Sequence, residues 1–350
     1  MKTNRPLRLF SVLAALALTS LVGQSATITK LDNTNALGDG TSWSGGTAPV
    51  STDIANWSGT YNADAAGTNS LRAIMSAAGV SWQGLSVGAI SGPALTTNTI
   101  FAAVTNISAA TEAVVNGFNV VTITTKANHG FEPGQSVTIV GVTPAGYNGT
   151  YIVAGVPAAA QFTYTNATGS LAAGTAFGTV QSAIYIGGAG TATATSKLTV
   201  GTSGIDLSAA NVSVVINDNT NMFAGSQTWN VPSGRVLRFS NGGVTAASAR
   251  ADSTGSDGLI DITGGGVVSL NQGGGSTGAD ANSFATFTGS WRVGGGSTLR
   301  GIRSGATAWG QGSITLNNGT LASGGSRSLI SSPGYASWCL CVRISPGSTA

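Results

Sequence analysis

The sequence predicts an all-β protein, namely a right-handed parallel β-helix (solenoid) with an inserted antiparallel module like a small β-sandwich or barrel. Four segments begin 31 residues apart, at Leu198, Trp229, Ile260 and Trp291, and each joins two apolar runs through a small residue. Such a fixed period is typical of folds in which copies stack. The 350 residues include 52 Gly and only 8% charged residues, a mixture that disfavours long helices. The hydrophobic content of 41% argues against disorder.

Residues 1–26 are predicted to be a signal peptide. Lys2, Arg5 and Arg8 precede an apolar run over residues 9–18, and small residues follow. The run is shorter than the roughly 20 apolar residues of a spanning helix, so a membrane anchor is the weaker alternative. No integral membrane segment is expected in the mature chain. Without the three bases the mature chain is near neutral, which gives no reason to expect nucleic-acid binding.

Residues 27–111 are predicted to form an N-terminal cap and the first turns of the β-helix. They contain Trp43, Trp57 and Trp82 among Gly-rich and Pro-rich turns. Terminal repeats of stacked folds differ from internal ones because one face meets water, and this favours a capping role. Ordinary core tryptophans in the first strands are an equally good and compatible interpretation.

Residues 112–183 are predicted to be the inserted small β module, because they do not follow the 31-residue pattern. Asn148 and Gly149 form an Asn-Gly pair between β-forming residues, which indicates a hairpin. The predicted strands cover residues 120–124, 136–140, 147–153 and 161–164.

Residues 184–325 carry the β-helix repeats, and a further, shorter copy begins at Ile314. One copy cannot bury its apolar face alone, so the copies are expected to stack. Residues 326–350 break the pattern and are predicted to be an irregular or truncated tail. Cys339 and Cys341 lie there. Side chains at this spacing leave opposite faces of a strand, so neither a mutual disulfide nor a metal site is predicted.

Two repeat segments resemble a known family. The segments QTWNVPSGRVL (227–237) and GQGSITLNNGTL (310–321) are similar to strand motifs of autotransporter-associated β-strand repeat proteins. The resemblance implies a secreted or cell-surface β-helix from a Gram-negative-type bacterium, and it implies no catalytic residue. Segments 129–141 and 147–153 resemble a small β module of phage structural and bacterial surface proteins, which here interrupts the β-helix.

Few residues are candidates for catalysis. His129 is the single histidine, and a role as general base competes with a role as a turn residue before Gly130. Asp252, Asp257 and Asp261 are the best carboxylates for a glycosidase-like mechanism. Solvated turns are the favoured interpretation of all three, because nothing in the sequence fixes two carboxylates at a set separation. The sequence therefore predicts no catalytic residue, no cofactor and no metal site.

Trp229, Trp291 and Trp309 are candidate carbohydrate contacts, with a core position as the favoured alternative because Leu198 and Ile260 open equivalent copies. The predicted function is that of a secreted or cell-surface scaffold, structural or adhesive, without catalytic activity. The alternative is a β-helix protein that binds or degrades polysaccharide. The expected partners are extracellular polysaccharide or envelope components, and the oligomeric state is left open.

Overall fold

The protein is all-β, as predicted, with two parallel sheets and one antiparallel sheet. Helix in the described residues is limited to 3-10 turns of three residues. A computed structural model describes residues 25–62, 79–92, 104–126, 129, 131–181, 183–186, 197–216, 220–239, 258–270, 287–301, 309, 312–323 and 342–344. The signal peptide predicted up to residue 26 therefore lies almost wholly outside the described residues, as do Asp252, Asp257, Cys339 and Cys341.

The strands are short and follow one another through the described chain. In chain order they are β1 (Thr27–Thr29), β2 (Ile54–Thr60), β3 (Val80–Ser91), β4 (Val104–Val115), β5 (Phe118–Thr125), β6 (Ser136–Val140), β7 (Gly149–Ile152), β8 (Gly155–Ala158), β9 (Gln161–Thr165), β10 (Thr179–Gln181), β11 (Ala183–Ile186), β12 (Lys197–Asp206), β13 (Ser213–Ile216), β14 (Thr220–Phe223), β15 (Gln227–Asn230), β16 (Val236–Phe239), β17 (Leu259–Thr263), β18 (Val267–Leu270), β19 (Ser290–Gly294), β20 (Thr298–Gly301), β21 (Ile314–Asn317), β22 (Thr320–Ser323) and β23 (Val342–Ile344).

Two parallel sheets, here called the paired sheets, share one apolar core. The first runs in the order β1-β2-β3-β12-β15-β17-β19-β21-β23, with β14 beside β12. The second has six strands in the order β11-β13-β16-β18-β20-β22. From β15 onward the chain alternates between the two sheets, so each pair of consecutive strands adds one strand to each sheet. The core between them is continuous from Leu37 to Leu321.

A column of apolar residues in matched register holds the first sheet to the core. In β17, Ile260 and Ile262 are buried while Asp261 and Thr263 face outward, which is the alternation expected of a strand with one buried face. Neighbouring strands place their inner residues side by side. The column consists of Ile28, Ala55, Leu85, Ile205, Trp229, Ile262, Val293 and Leu316.

The structure keeps the 31-residue spacing only in part. It holds between Ile260 and Trp291, which pair directly. It also holds in the second sheet, where Val236, Val267 and Thr298 pair in turn. The shorter copy pairs as expected too, since Trp291 lies beside Ile314.

The first two copies are offset from the predicted register. Ile260 pairs with Gln227, whereas Trp229 pairs with Ile262. Gln227 is polar but occupies a buried position, where its amide donates to the Val200 carbonyl oxygen at 2.9 Å. The predicted register assumed that an apolar residue opens each repeat, so the buried but polar Gln227 was not recognised as the residue aligned with Ile260. Leu198 pairs with Val80 and Asn221 and does not lie beside Trp229. The reason is that β12 is ten residues long and only its last residues, from Ile205, align with β15.

The antiparallel sheet, here called the module, has seven strands in the order β7-β6-β10-β4-β5-β9-β8. It has its own buried core, which includes Phe131, Tyr147, Phe162 and Tyr164. In the chain it lies between β3 of the first parallel sheet and β11 of the second. Its first strand, β4, begins at Val104, within the range 27–111 expected for the N-terminal region.

The predicted hairpin at Asn148 and Gly149 is absent. Asn148 follows a 3-10 turn, and its side chain bonds both backbone groups of Val142, at 2.8 and 2.9 Å. Gly149 begins β7, which pairs with β6. A tight turn lies instead at Asn116 and Gly117, between β4 and β5, where the φ angles are 52° and 83°. Positive φ at both residues is the geometry that joins twisted antiparallel strands.

Candidate functional site

Three described charged residues meet at the junction between the module and the second parallel sheet. Glu132 lies in the connection between β5 and β6, whereas Arg238 belongs to β16 and Arg300 to β20. The Glu132 Oε1 atom lies 3.4 Å from Arg238 Nε, and its Oε2 atom lies 3.2 Å from Arg300 Nη1. We call these three residues the charge cluster.

The sheet register explains why two arginines from different strands meet one carboxylate. Arg238 pairs with Ser269 of β18, and Ser269 pairs with Arg300, so all three point to the outer face of the second sheet. Neighbouring strands are about 4.8 Å apart, so the two guanidinium groups flank the intervening strand. The small Ser269 side chain, which is fully buried, leaves the space that the Glu132 carboxylate requires.

The charge cluster is shielded from solvent. The side chain of Glu132 is 7% exposed and those of the two arginines are 14% exposed. Gln135 fixes the approach of the connection, because its Oε1 atom accepts the Glu132 N–H at 3.0 Å. Charges taken out of water cost several kcal/mol unless they are paired, so once the module covers this face each charged group of the cluster needs its partners.

Backbone contacts fasten the module at the same junction. The Ser136 N–H donates to the Gly234 carbonyl oxygen at 2.9 Å, from β6 to the turn before β16. Gly134 lies against Val267, so that a Cβ at this position would be 3.4 Å from the valine methyl carbon. The junction thus combines an ion pair, a main-chain hydrogen bond and a close apolar contact, which is an arrangement that holds two bodies together.

His129 lies beside this junction but in the core of the module. Its side chain is buried and stacks on Phe131, with ring centroids 4.6 Å apart. The Phe131 N–H donates to His129 Nδ1 at 2.9 Å. Burial lowers the pKa of the imidazole, and backbone groups of Gln161 and Ala158 oppose this effect. The structure therefore places the His129 side chain in the core of the module, whereas the favoured sequence interpretation was a turn residue before Gly130, which lies outside the described residues.

Asp261 is the one described member of the three candidate carboxylates. It lies on the outer face of β17 and accepts two hydrogen bonds from Arg292, of which the Nε–Oδ1 contact is 2.8 Å. Arg292 is its direct neighbour in the register of β19. The Asp261 carboxylate is therefore committed to a cross-strand ion pair, and no second described carboxylate faces it. Among the described residues, no group of three His, Cys, Asp or Glu side chains is placed to hold a metal ion.

The three tryptophans proposed as carbohydrate contacts are core residues. Trp229 and Trp291 are 0% exposed and Trp309 is 7% exposed. The ring centroids of Trp229 and Trp291 lie 5.6 Å apart in edge-to-face contact, and the Trp291 Nε1 atom donates to the Trp309 carbonyl oxygen at 2.7 Å. Rings closed off from solvent have no free face for a sugar, so the carbohydrate interpretation of these residues is corrected.

The charge cluster was missed from sequence, although one signal for it exists. Arg238, Ser269 and Arg300 are spaced 31 residues apart, like Val236, Val267 and Thr298 two positions before them. Arginines at two of these three equivalent outward positions are a conspicuous pattern in so weakly charged a chain. Glu132 itself cannot be found this way, because it lies more than a hundred residues away in the chain.

None of the described helices is long or apolar enough to span a bilayer. No family model matches the chain, and neither do any curated proteins or solved structures.

Proposed function

We propose that this protein is a secreted or cell-surface scaffold, structural or adhesive in role and without catalytic activity. In this proposal the paired sheets are successive turns of a right-handed parallel β-helix. The observation that carries it is the matched register of one apolar residue per strand from Ile28 to Leu316. Each strand pairs with the strands beside it in the stack and packs on the shared core, which is how repeat proteins build stiff bodies from short segments.

The placement of the chemically reactive side chains supports the same conclusion. Glu132 pairs with Arg238 of the second sheet, Asp261 pairs with Arg292 of the neighbouring strand, and the His129 ring accepts the Phe131 N–H within the module. A general acid or base needs a substrate within hydrogen-bond reach, and these groups are turned toward the protein itself.

The setting of the scaffold is proposed from the sequence. The basic and apolar N-terminus favours export, and the repeat motifs resemble those of autotransporter-associated β-strand repeat proteins. We therefore place the mature protein outside the cell or on the surface of a Gram-negative-type bacterium, with envelope components or extracellular polysaccharide as its surroundings.

The location is tested by labelling intact cells of the native source with a membrane-impermeant amine reagent. We expect the mature chain to be labelled without cell lysis, and its mass to show removal of the N-terminal segment. Retention of the full chain inside the cell, with no surface labelling, contradicts the proposal.

The absence of catalysis is tested with the mature chain and a panel of bacterial and plant polysaccharides, with release of reducing ends as the measurement. We expect no release. Hydrolysis that is lost in Asp261→Asn and kept in Asp206→Asn would establish the degrading alternative. Asp206 is a suitable control because it is an exposed aspartate of the same sheet, at the end of β12, where its Oδ1 atom accepts the Ser208 N–H.

A further inference from the structure

The turn between β4 and β5 exposes three large apolar side chains. Val114 is 71% exposed, Phe118 is 64% exposed and Val115 is 48% exposed. The turn residues between them, Asn116 and Gly117, carry no charge. We call residues 113–118 the apolar tip. A concentrated apolar surface of this kind marks a contact with something outside the chain.

The apolar tip lies at the end of the module that is farthest from the paired sheets. At the near end Val104 pairs with Gln181, and both chain connections to the paired sheets leave from there. Ser136, which bonds the second sheet, lies at the same end. β4 spans Val104–Val115 with a register irregularity between Ile107 and Ala109, so it carries the tip at most about 36 Å away at about 3.3 Å per residue.

The tip is held on paired strands rather than on a loose loop. Val115 pairs with Phe118 and Val114 pairs with Asn119 in the antiparallel register of β4 and β5. Directly opposed residues point to the same side, and successive residues to opposite sides. Val115 and Phe118 therefore share one face of the hairpin while Val114 lies on the other, so the tip is apolar on both faces.

The surroundings of the tip are almost free of charge. Residues 104–181 carry three charged side chains, of which Lys126 lies at the other end of β5 and Glu132 belongs to the charge cluster. The third, Glu112, accepts the Leu171 N–H at 3.1 Å beside the hairpin. Glu112 is therefore the charged residue of the module nearest to the tip, and the tip itself offers a partner apolar side chains rather than charged ones.

We propose that the apolar tip inserts into the surface of a net-neutral phospholipid bilayer. A protruding hairpin that is apolar on both faces is surrounded most completely by a fluid medium, and shallow burial of apolar side chains at the headgroup boundary is how peripheral proteins dock. The inference names a partner for the scaffold, and it rests on the proposed function only for the location of the protein at a cell surface.

The experiment measures co-sedimentation of the full mature chain with phosphatidylcholine vesicles. We expect the wild type to bind, and binding to fall at least tenfold in the double variant Val114→Ser, Phe118→Ser. The matched control is Val50→Ser, since Val50 is 55% exposed but lies outside the module. Binding is expected to persist when salt is raised, because apolar insertion is not screened.

Three outcomes overturn the proposal: no binding by the wild type, equal binding by the tip variant, or binding that disappears in high salt. Sedimentation velocity without lipid tests whether the tip binds a second copy of the chain instead. Self-association of the wild type that the tip variant abolishes would assign the tip to that contact and overturn the proposal. Surface labelling of cells is independent of these measurements, so failure of lipid binding is distinguishable from failure of the scaffold proposal.

Discussion

At the scale of single residues, the junction between the module and the second sheet depends on the one carboxylate that faces two guanidinium groups. Glu132 approaches Arg238 and Arg300 from a connection that belongs to neither strand. Asp261 and Arg292 form a pair of the same chemistry, but the Arg292 side chain is 47% exposed. The two sites allow the contributions of a shielded and of an exposed ion pair to the free energy of unfolding to be compared within one protein.

Glu132→Gln is expected to destabilise the protein by about 3 kcal/mol, because it leaves two shielded guanidinium groups without their carboxylate. The control Arg292→Gln is expected to cost less than about 1 kcal/mol, as exposed pairs do. The measurement is the free energy of unfolding in denaturant, together with hydrogen exchange of the Ser136 amide at the junction. Equal costs for the two variants would show that the charge cluster does not secure the module.

Lys30 gives a prediction for the pH dependence of stability. Its ammonium group is buried near the N-terminus and donates to the carbonyl oxygens of Leu31 and Asn33, both at 2.7 Å. Burial lowers the pKa of Lys30 to about 8, and Asp32 opposes this. The unfolded chain, with an ordinary lysine pKa near 10.4, then binds more protons than the folded chain between about pH 8 and pH 10.

Stability is therefore expected to rise with pH across that window in the wild type. Lys30→Met should flatten the rise, while the exposed control Lys126→Met should keep it. The midpoint of denaturant unfolding at several pH values is the measurement. The rise is expected to end near pH 10, because burial raises the pKa of Tyr61 and Tyr164. Above that pH these tyrosines ionise in the unfolded chain before they do so in the folded protein, which lowers the stability. An unchanged slope in Lys30→Met contradicts the assignment.

At the scale of elements, sequence patterns predicted strands better than register. The β17 and β19 segments were placed correctly because their apolar residues alternate and pair at the predicted spacing. The register of β15 was predicted wrongly, because the polar residue Gln227 occupies a buried position that the pattern reserved for an apolar residue. Its side-chain amide is accommodated there by hydrogen bonds to Val200 and Trp229. The charge cluster was out of reach for a similar reason, since only folding brings Glu132 to β16 and β20.

One element-scale prediction concerns Gly301, which takes the place in β20 that Leu270 takes in β18. A Cβ at Gly301 would lie 2.7 Å from the Trp309 ring, so the indole fills the space of the missing side chain. Gly301→Val is expected to cost about 1–3 kcal/mol through overpacking. The control Thr315→Val, on the outer face of β21, should stay within about 0.5 kcal/mol. The measurement is the midpoint of denaturant unfolding of each variant. A red shift of tryptophan emission should accompany the destabilisation in Gly301→Val.

At the scale of the whole molecule, the described residues form two large apolar cores, which meet at the junction. The core of the paired sheets contains Trp43, Trp57 and Trp82 in mutual edge-to-face contact, with ring centroids 5.3–5.9 Å apart. These residues are buried in the same core as the later strands, so the core interpretation of the N-terminal tryptophans holds whether or not they also form a cap. The module core carries tyrosines and phenylalanines instead.

The place of the module in the chain also decides how the molecule bears load. The module joins β3 to β11, and these strands pair with the consecutive strands β12 and β13. Tension along the paired sheets is carried by main-chain hydrogen bonds from strand to strand. A pull on the apolar tip reaches the paired sheets through the chain at β3 and β11, and through Glu132 at β16 and β20. A force on the tip is therefore shared among several strands of the stack.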